Sequence, residues 1–119
     1  MKAPQIKVKP PGPQAREIVA RDHRVTAPAY GRVYPLVTKR AKGMTVEDVD
    51  GNLYLDFMAG IAVVSTGHCH PAIVAAVEDQ TRKFLHICGS DFYFEAMVAL
   101  AEKLEWIAPG AGAKKVFLT

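Results

Sequence analysis

The sequence predicts an α+β fold in which a short helix, a three-strand antiparallel meander and two further helices follow one another along the chain. Three observations predict it. Between residues 36 and 57 apolar and polar residues alternate, broken by the pairs Lys42-Gly43 and Asp50-Gly51, the pattern of half-buried strands joined by tight turns. On both sides of this stretch the apolar residues return at helical spacing, with prolines and glycines where helices start and stop. The last residues, Lys114 to Thr119, form a short apolar run of the kind buried in a parallel sheet.

Residues 1–12 read as an extended arm, because Pro10, Pro11 and Pro13 around Gly12 suit neither a helix interior nor a central strand. Pro13 fits a first helical turn. From Gln14 to about His23, Ala15, Ile18, Val19 and Asp22 share one face, giving a short amphipathic helix that must dock on something. The strands are expected over Leu36 to Arg40, Met44 to Val49 and Asn52 to Phe57. Asp50-Gly51 predicts a type I′ hairpin turn, with positive φ at both residues. Leu53, Leu55 and Phe57 fall on one face of the last strand, and Tyr54 and Asp56 on the other. A loop follows from Ala59-Gly60 through Ser65-Thr66-Gly67.

Pro71 opens a helix whose Ile73, Val74, Val77, Thr81 and Phe84 line one side, with Glu78 placed to pair with Arg82 and Gly89 marking the end. A second helix is expected from about Tyr93, capped by Ser90 or Asp91, with Met97, Leu100, Ala101, Leu104 and Ile107 on its apolar face until Pro109-Gly110. The parallel neighbour and crossover helix that the terminal strand requires are expected beyond Thr119. The expected divisions are thus the arm 1–12, a body 13–110, and residues 111–119 as the first strand of a large domain that the chain truncates.

Half of the 119 residues are hydrophobic and 23% are charged, the composition of a globular domain rather than a disordered chain. No apolar run is long enough to span a bilayer and the first residues lack the apolar core of a secretory signal. With only two cysteines, Cys69 and Cys88, a reduced cytoplasmic setting and no membrane association are expected. The net charge of +3 conceals ten basic against two acidic residues up to Lys42, and five against ten beyond it. The basic side chains are spread over arm, helix and strand without an aromatic platform, which argues against nucleic acid and for a solvated or subunit-facing surface.

The run Asp48-Val49-Asp50-Gly51-Asn52 begins like a calcium loop. Its sixth and twelfth places fall on Leu53 and Ala59 where Gly and Glu are needed, so the acidic residues belong to the hairpin. Gly67-His68-Cys69-His70-Pro71 with His86 and Cys88 offers donors of zinc type, and a small zinc-binding module using His68, His70, His86 and Cys88 is the rival functional reading. Adjacent His-Cys-His cannot all face one ion, and the spacing follows no familiar zinc pattern. No metal ligand is therefore assigned. The chain also lacks a Gly/Ser-rich phosphate loop, a G-x-S-x-G elbow and a lysine in an apolar pocket, so no catalytic or cofactor-binding residue is assigned either.

The run from Asp48 through Asp56-Phe57, the stretch Ala59-Gly60-Ile61-Ala62-Val63 and the motif Gly67-His68-Cys69-His70-Pro71 follow one another without gaps. In this the sequence resembles the class III aminotransferases, among them the 4-aminobutyrate, acetylornithine and ornithine enzymes, over about Pro13 to Thr119. The opening from Pro10 to Glu17 and the segment Ser90 to Glu95 are most similar to the 4-aminobutyrate aminotransferase subgroup, which also contains amino-acid racemases. The resemblance implies the N-terminal segment of an α/β fold type I transferase dependent on pyridoxal 5′-phosphate, which moves an amino group from an amino acid to a 2-oxo acid and works as a homodimer. It implies that Ile61 lines the substrate side of the cofactor and that Ser90 lies near the site. The bland alternatives are loop packing for Ile61 and a helix cap for Ser90. It also implies that the phosphate loop and the cofactor-bearing lysine lie outside these residues, so that this piece alone is inactive.

Overall fold

The computed structural model describes residues 3–119, and the predicted order of elements is present. Helix α1 spans Pro13–Val25, strands β1, β2 and β3 span Thr38–Lys42, Thr45–Asp48 and Leu53–Leu55, and helices α2 and α3 span Pro71–Thr81 and Glu95–Ile107. The chain forms two compact units, one ending at Val77 and the other spanning Glu78–Thr119, and α2 crosses the division. Met1 and Lys2, the first residues of the expected arm, lie outside the described residues.

In the first unit the strands form an antiparallel sheet in the order β1-β2-β3. Thr45 pairs with Leu55 and Glu47 with Leu53, while an irregularity between Thr38 and Arg40 shifts the pairing of β1 with β2. Arg40 faces Glu47 across the strands at 2.6 Å, an exposed pair that adds little stability. The arm closes the other edge: the N–H of Gln5 donates to the Leu53 carbonyl and the N–H of Leu53 to that of Gln5, both at 2.8 Å. A segment that reads as an extended Pro-rich arm therefore satisfies the backbone groups of Leu53, at the start of β3, that would otherwise lie open.

The hairpin between β2 and β3 differs from the type I′ expectation. Gly51 has φ of 83° but Asp50 is not among the residues with positive φ. The N–H of Gly51 donates to the Asp48 carbonyl and that of Asp48 to the Asn52 carbonyl, which is a three-residue loop with a bulge at glycine. The reason is tertiary. Gly12, the N-cap of α1, has no side chain to cap with, and the Asp50 carboxylate takes that place, accepting the N–H of Gln14 at 2.9 Å and of Ala15 at 3.0 Å. An anion at a helix N-terminus is favoured by the dipole and by the unpaired N–H groups. The helix thus docks end-on through Asp50 and through Ala15, which is only 2% exposed.

Among the described residues, Ala15 and Leu53 are the buried apolar side chains, and Asp48 and Asn52 the buried polar ones. Asn52 holds this centre together. Its Oδ1 accepts the N–H groups of Lys7 and Val8 at 2.7 and 2.8 Å, and its Nδ2 donates to Asp48 Oδ2 at 2.8 Å. On the expected packing face of β3, Leu53 is buried, yet Leu55 is half-exposed and Phe57 is 83% exposed.

In the second unit α3 begins at Glu95 behind Phe94, not behind Ser90 or Asp91, and Phe94 makes no side-chain cap. Phe94 packs edge-on against Phe84, with centroids 6.0 Å apart and planes at 83°; this aromatic contact, rather than a polar cap, sets the entry to the helix. Helix α2 ends at Thr81, whose hydroxyl donates back to the Glu78 carbonyl, short of Phe84, although the Phe84 N–H still donates to the Gln80 carbonyl. The ion pair there joins Lys83 to Asp79 at 2.6 Å in place of the expected Glu78 and Arg82. Lys114–Thr119, where the sequence predicts a strand, has no strand pairing among the described residues.

Candidate functional site

The loop between β3 and α2 is built on the turn joining β1 to β2. The N–H of Asp56 donates to the Met44 carbonyl at 2.9 Å, and Gly43 and His68 exchange two backbone hydrogen bonds of 2.9 Å. A Cβ at Gly67 would stand 3.2 Å from the Gly43 Cα, so the close approach of the two backbones favours glycine. At the base of the loop, Asp56 Oδ1 accepts the N–H groups of Met58 and Ala59 at 2.8 and 2.9 Å. Its Oδ2 lies 2.6 Å from His68 Nε2. Because the carboxylate can only accept, Nε2 carries the proton in this contact.

Ala59, Gly60, Ile61 and Ala62 follow with φ of 48°, 62°, 60° and 63°, a full run of left-handed backbone. The Ala62 N–H donates to the Met58 carbonyl and the Val64 N–H to that of Ala59. For non-glycine residues such a conformation costs of order 1–3 kcal/mol each, and a β-branched residue is a true outlier there. Ile61 is also 84% exposed, so packing does not offset the cost. Strain of this kind concentrates at functional sites, where surrounding contacts over-determine it.

His68 contacts Asp56 in this arrangement, and no three His, Cys, Asp or Glu side chains are grouped to hold a metal ion among the described residues. The zinc reading of His68, His70, His86 and Cys88 is unsupported on both counts. Ser90 belongs to the second unit, where its hydroxyl lies 3.1 Å from the Cys88 thiol and caps no helix. Ile61 belongs to the first. Sequence reasoning missed the Asp56–His68 pair, although an Asp three residues ahead of a small-residue loop is a known turn signal.

Two carboxylates of the first unit are held below the ordinary carboxylate range. Burial, the largest influence on Asp48, opposes its ionisation, but hydrogen bonds from the Asn52 side chain and N–H, the Tyr54 hydroxyl and the Asp50 N–H outweigh it. The same contact, after burial, pushes the Tyr54 phenol up. For Asp56 the His68 hydrogen bond comes first, followed by the N–H groups of Ala59 and Met58. A depressed carboxylate stabilises the fold fully above its unfolded value, and that contribution disappears as pH falls through the lower folded value. Stability is therefore expected to hold from neutral pH down to about pH 5 and to fall below about pH 4. Acid titration of Asp56→Asn should show a smaller loss than the parent.

Solved structures share this chain's fold. Ornithine delta-aminotransferase from Plasmodium falciparum superposes with a TM-score of 0.70 at 30% identity, over 78% of this chain and 24% of that one. Residues 25–119 match the model of the aminotransferase class-III family, and the chain belongs to that family. It is 42% identical over 118 residues to an alanine/serine racemase from Pyrococcus horikoshii, covering 98% of this chain and 25% of that protein. It is 40% identical over 103 residues to a 4-aminobutyrate aminotransferase from Escherichia coli, covering 87% and 24%. The chain spans about a quarter of the length of the curated relatives it matches.

Proposed function

We propose that these residues serve as the N-terminal part of a pyridoxal-phosphate-dependent aminotransferase that moves an amino group from an ω-amino acid or a related donor to a 2-oxo acid. The observation that carries this is the strained loop with its exposed Ile61, set within a chain that belongs to the class-III family. Ile61 is assigned to the apolar wall on the substrate side, where a dry surface strengthens the polar contacts of a bound substrate. Ser90 is assigned to the margin of the same site in the assembled enzyme. The division into an arm (1–12), a small-domain body (13–110) and an opening strand of the large domain (111–119) belongs to the same proposal.

When bound, the cofactor supplies an electron sink for loss of a proton beside the amino group. It needs a lysine to hold it covalently and a cradle of N–H groups for its phosphate. Every described lysine is exposed or half-exposed, and no Gly/Ser-rich loop opens a described helix, which supports placing the covalent lysine and the phosphate cradle outside these residues. The exposed Phe57, Leu85, Tyr93, Trp106 and Phe117 support burial against further structure, including the partner of a cytoplasmic homodimer. The 119-residue chain alone is expected to give no multiple turnovers with pyridoxal phosphate, 4-aminobutyrate and 2-oxoglutarate. The protein encoded by the whole reading frame is expected to release glutamate in the same assay. Turnover by the short chain, or none by the whole protein with any amino donor, would sink the proposal.

The likeness to an alanine/serine racemase favours a second reading, in which the proton returns to the same carbon from the other face. Interconversion of alanine enantiomers by the whole protein without a 2-oxo acid would select it.

A further inference from the structure

We propose that Asp56 and His68 are positioning residues, a clamp across the base of the loop that fixes the left-handed turn and so the stance of the Ile61 side chain toward substrate. The proposal rests on the reading of Ile61 as part of the substrate wall. Asp56 divides its oxygens between the two ends of the loop: Oδ1 takes the N–H groups of Met58 and Ala59, and Oδ2 takes the His68 ring. His68 cannot drift, because its own backbone is paired twice with Gly43, and Asp56 is tied to the next residue of the same turn, Met44. Both ends of residues 57–67 thus stand on one rigid hairpin, with the side-chain contact joining them directly.

The turn between these ends has backbone hydrogen bonds of its own, from Ala62 to Met58 and from Val64 to Ala59, but it is strained. Three of its four residues carry a Cβ in a conformation that glycine alone adopts without penalty, and the isoleucine at its tip faces outward. Without the clamp, Ala59–Ala62 is expected to relax toward ordinary backbone, and the Ile61 side chain moves with it. A displacement of about an ångström at a substrate-contacting group is enough to reduce kcat/KM by roughly tenfold or more.

The test uses the complete protein and two readouts. Hydrogen exchange at the Ala62 and Val64 amides is expected to quicken about tenfold or more in Asp56→Ala and His68→Ala, a loss of one charge-assisted contact. His68→Gln, whose amide can still donate to Asp56, is expected to restore much of the protection. The same alanine variants are expected to raise KM for the amino donor about tenfold while kcat changes less, the mark of lost substrate binding rather than lost chemistry. Ile61→Gly, which relieves the strain, is expected to keep the protection and still raise KM. If Asp56→Ala fails to fold, Asp56→Asn, which keeps an acceptor for Met58 and Ala59, is measured in its place. Unchanged exchange, or unchanged KM in folded variants of an active enzyme, overturns the clamp and leaves the proposed function standing. A wild-type protein that turns over no amino donor overturns the proposed function, and the positioning role with it.

Discussion

Replacement of Asn52 by alanine is expected to destabilise the first unit by about 3 kcal/mol or more, the largest effect of any single truncation in the sheet. The side chain is wholly buried and serves three partners, the Lys7 and Val8 N–H groups and the Asp48 carboxylate. Alanine offers none of these contacts, so two donors lose their acceptor and a buried charge loses a donor, each costing about 1–3 kcal/mol. Aspartate should do no better. It could accept from the arm, but its charge would face that of Asp48 where the amide now donates. The denaturation midpoint in urea and exchange at the Lys7 and Val8 amides would both report the loss. A shift of less than about 1 kcal/mol would mean that the arm is held by other means.

Gly12→Ala should cost about 2 kcal/mol, more than a helix-cap substitution at this backbone would suggest. The backbone there, with φ of −72° and ψ of 177°, is open to any residue. What forbids a Cβ is the Asp50 carboxylate, which occupies the space it would fill. Accommodating the methyl group expels Asp50 from the N-terminus of α1, leaving the Gln14 and Ala15 N–H groups uncapped. The two positions are therefore coupled. In an Asp50→Ala background the obstacle and the cap are both gone, and Gly12→Ala should add under about 1 kcal/mol. Equal costs in both backgrounds would refute the coupling.

These dependencies mark how far the sequence can be read. Helices α1 and α3 and the hairpin at Asp50-Gly51 are legible because their signals are local: proline at a helix start, apolar spacing, and a turn pair between alternating strands. What fails needs a partner far along the chain. Asp50 departs from the expected turn because Gly12, remote in sequence, leaves a helix end to cap. The start of α3 reads wrongly from Ser90 and Asp91 because Phe84 and Phe94 meet instead. His68 offers the right donor for a metal, and only the folded loop shows its nitrogen against Asp56. The left-handed turn is the least legible of all, since Ala59, Ile61 and Ala62 are residues that by themselves argue against it.

The pairing of Gln5 with Leu53 also bears on how the protein behaves before assembly. A three-strand sheet with an open β3 edge would offer its unpaired N–H and C=O groups to the same edge of another molecule, the first step toward fibrous self-association. Gln5 occupies that edge at Leu53 intramolecularly, and Pro4 beside it has no N–H with which to extend the ladder. A chain begun at Gly12 would lose this guard. Its propensity to aggregate, rather than its helix content, is the property that trimming the arm should change most.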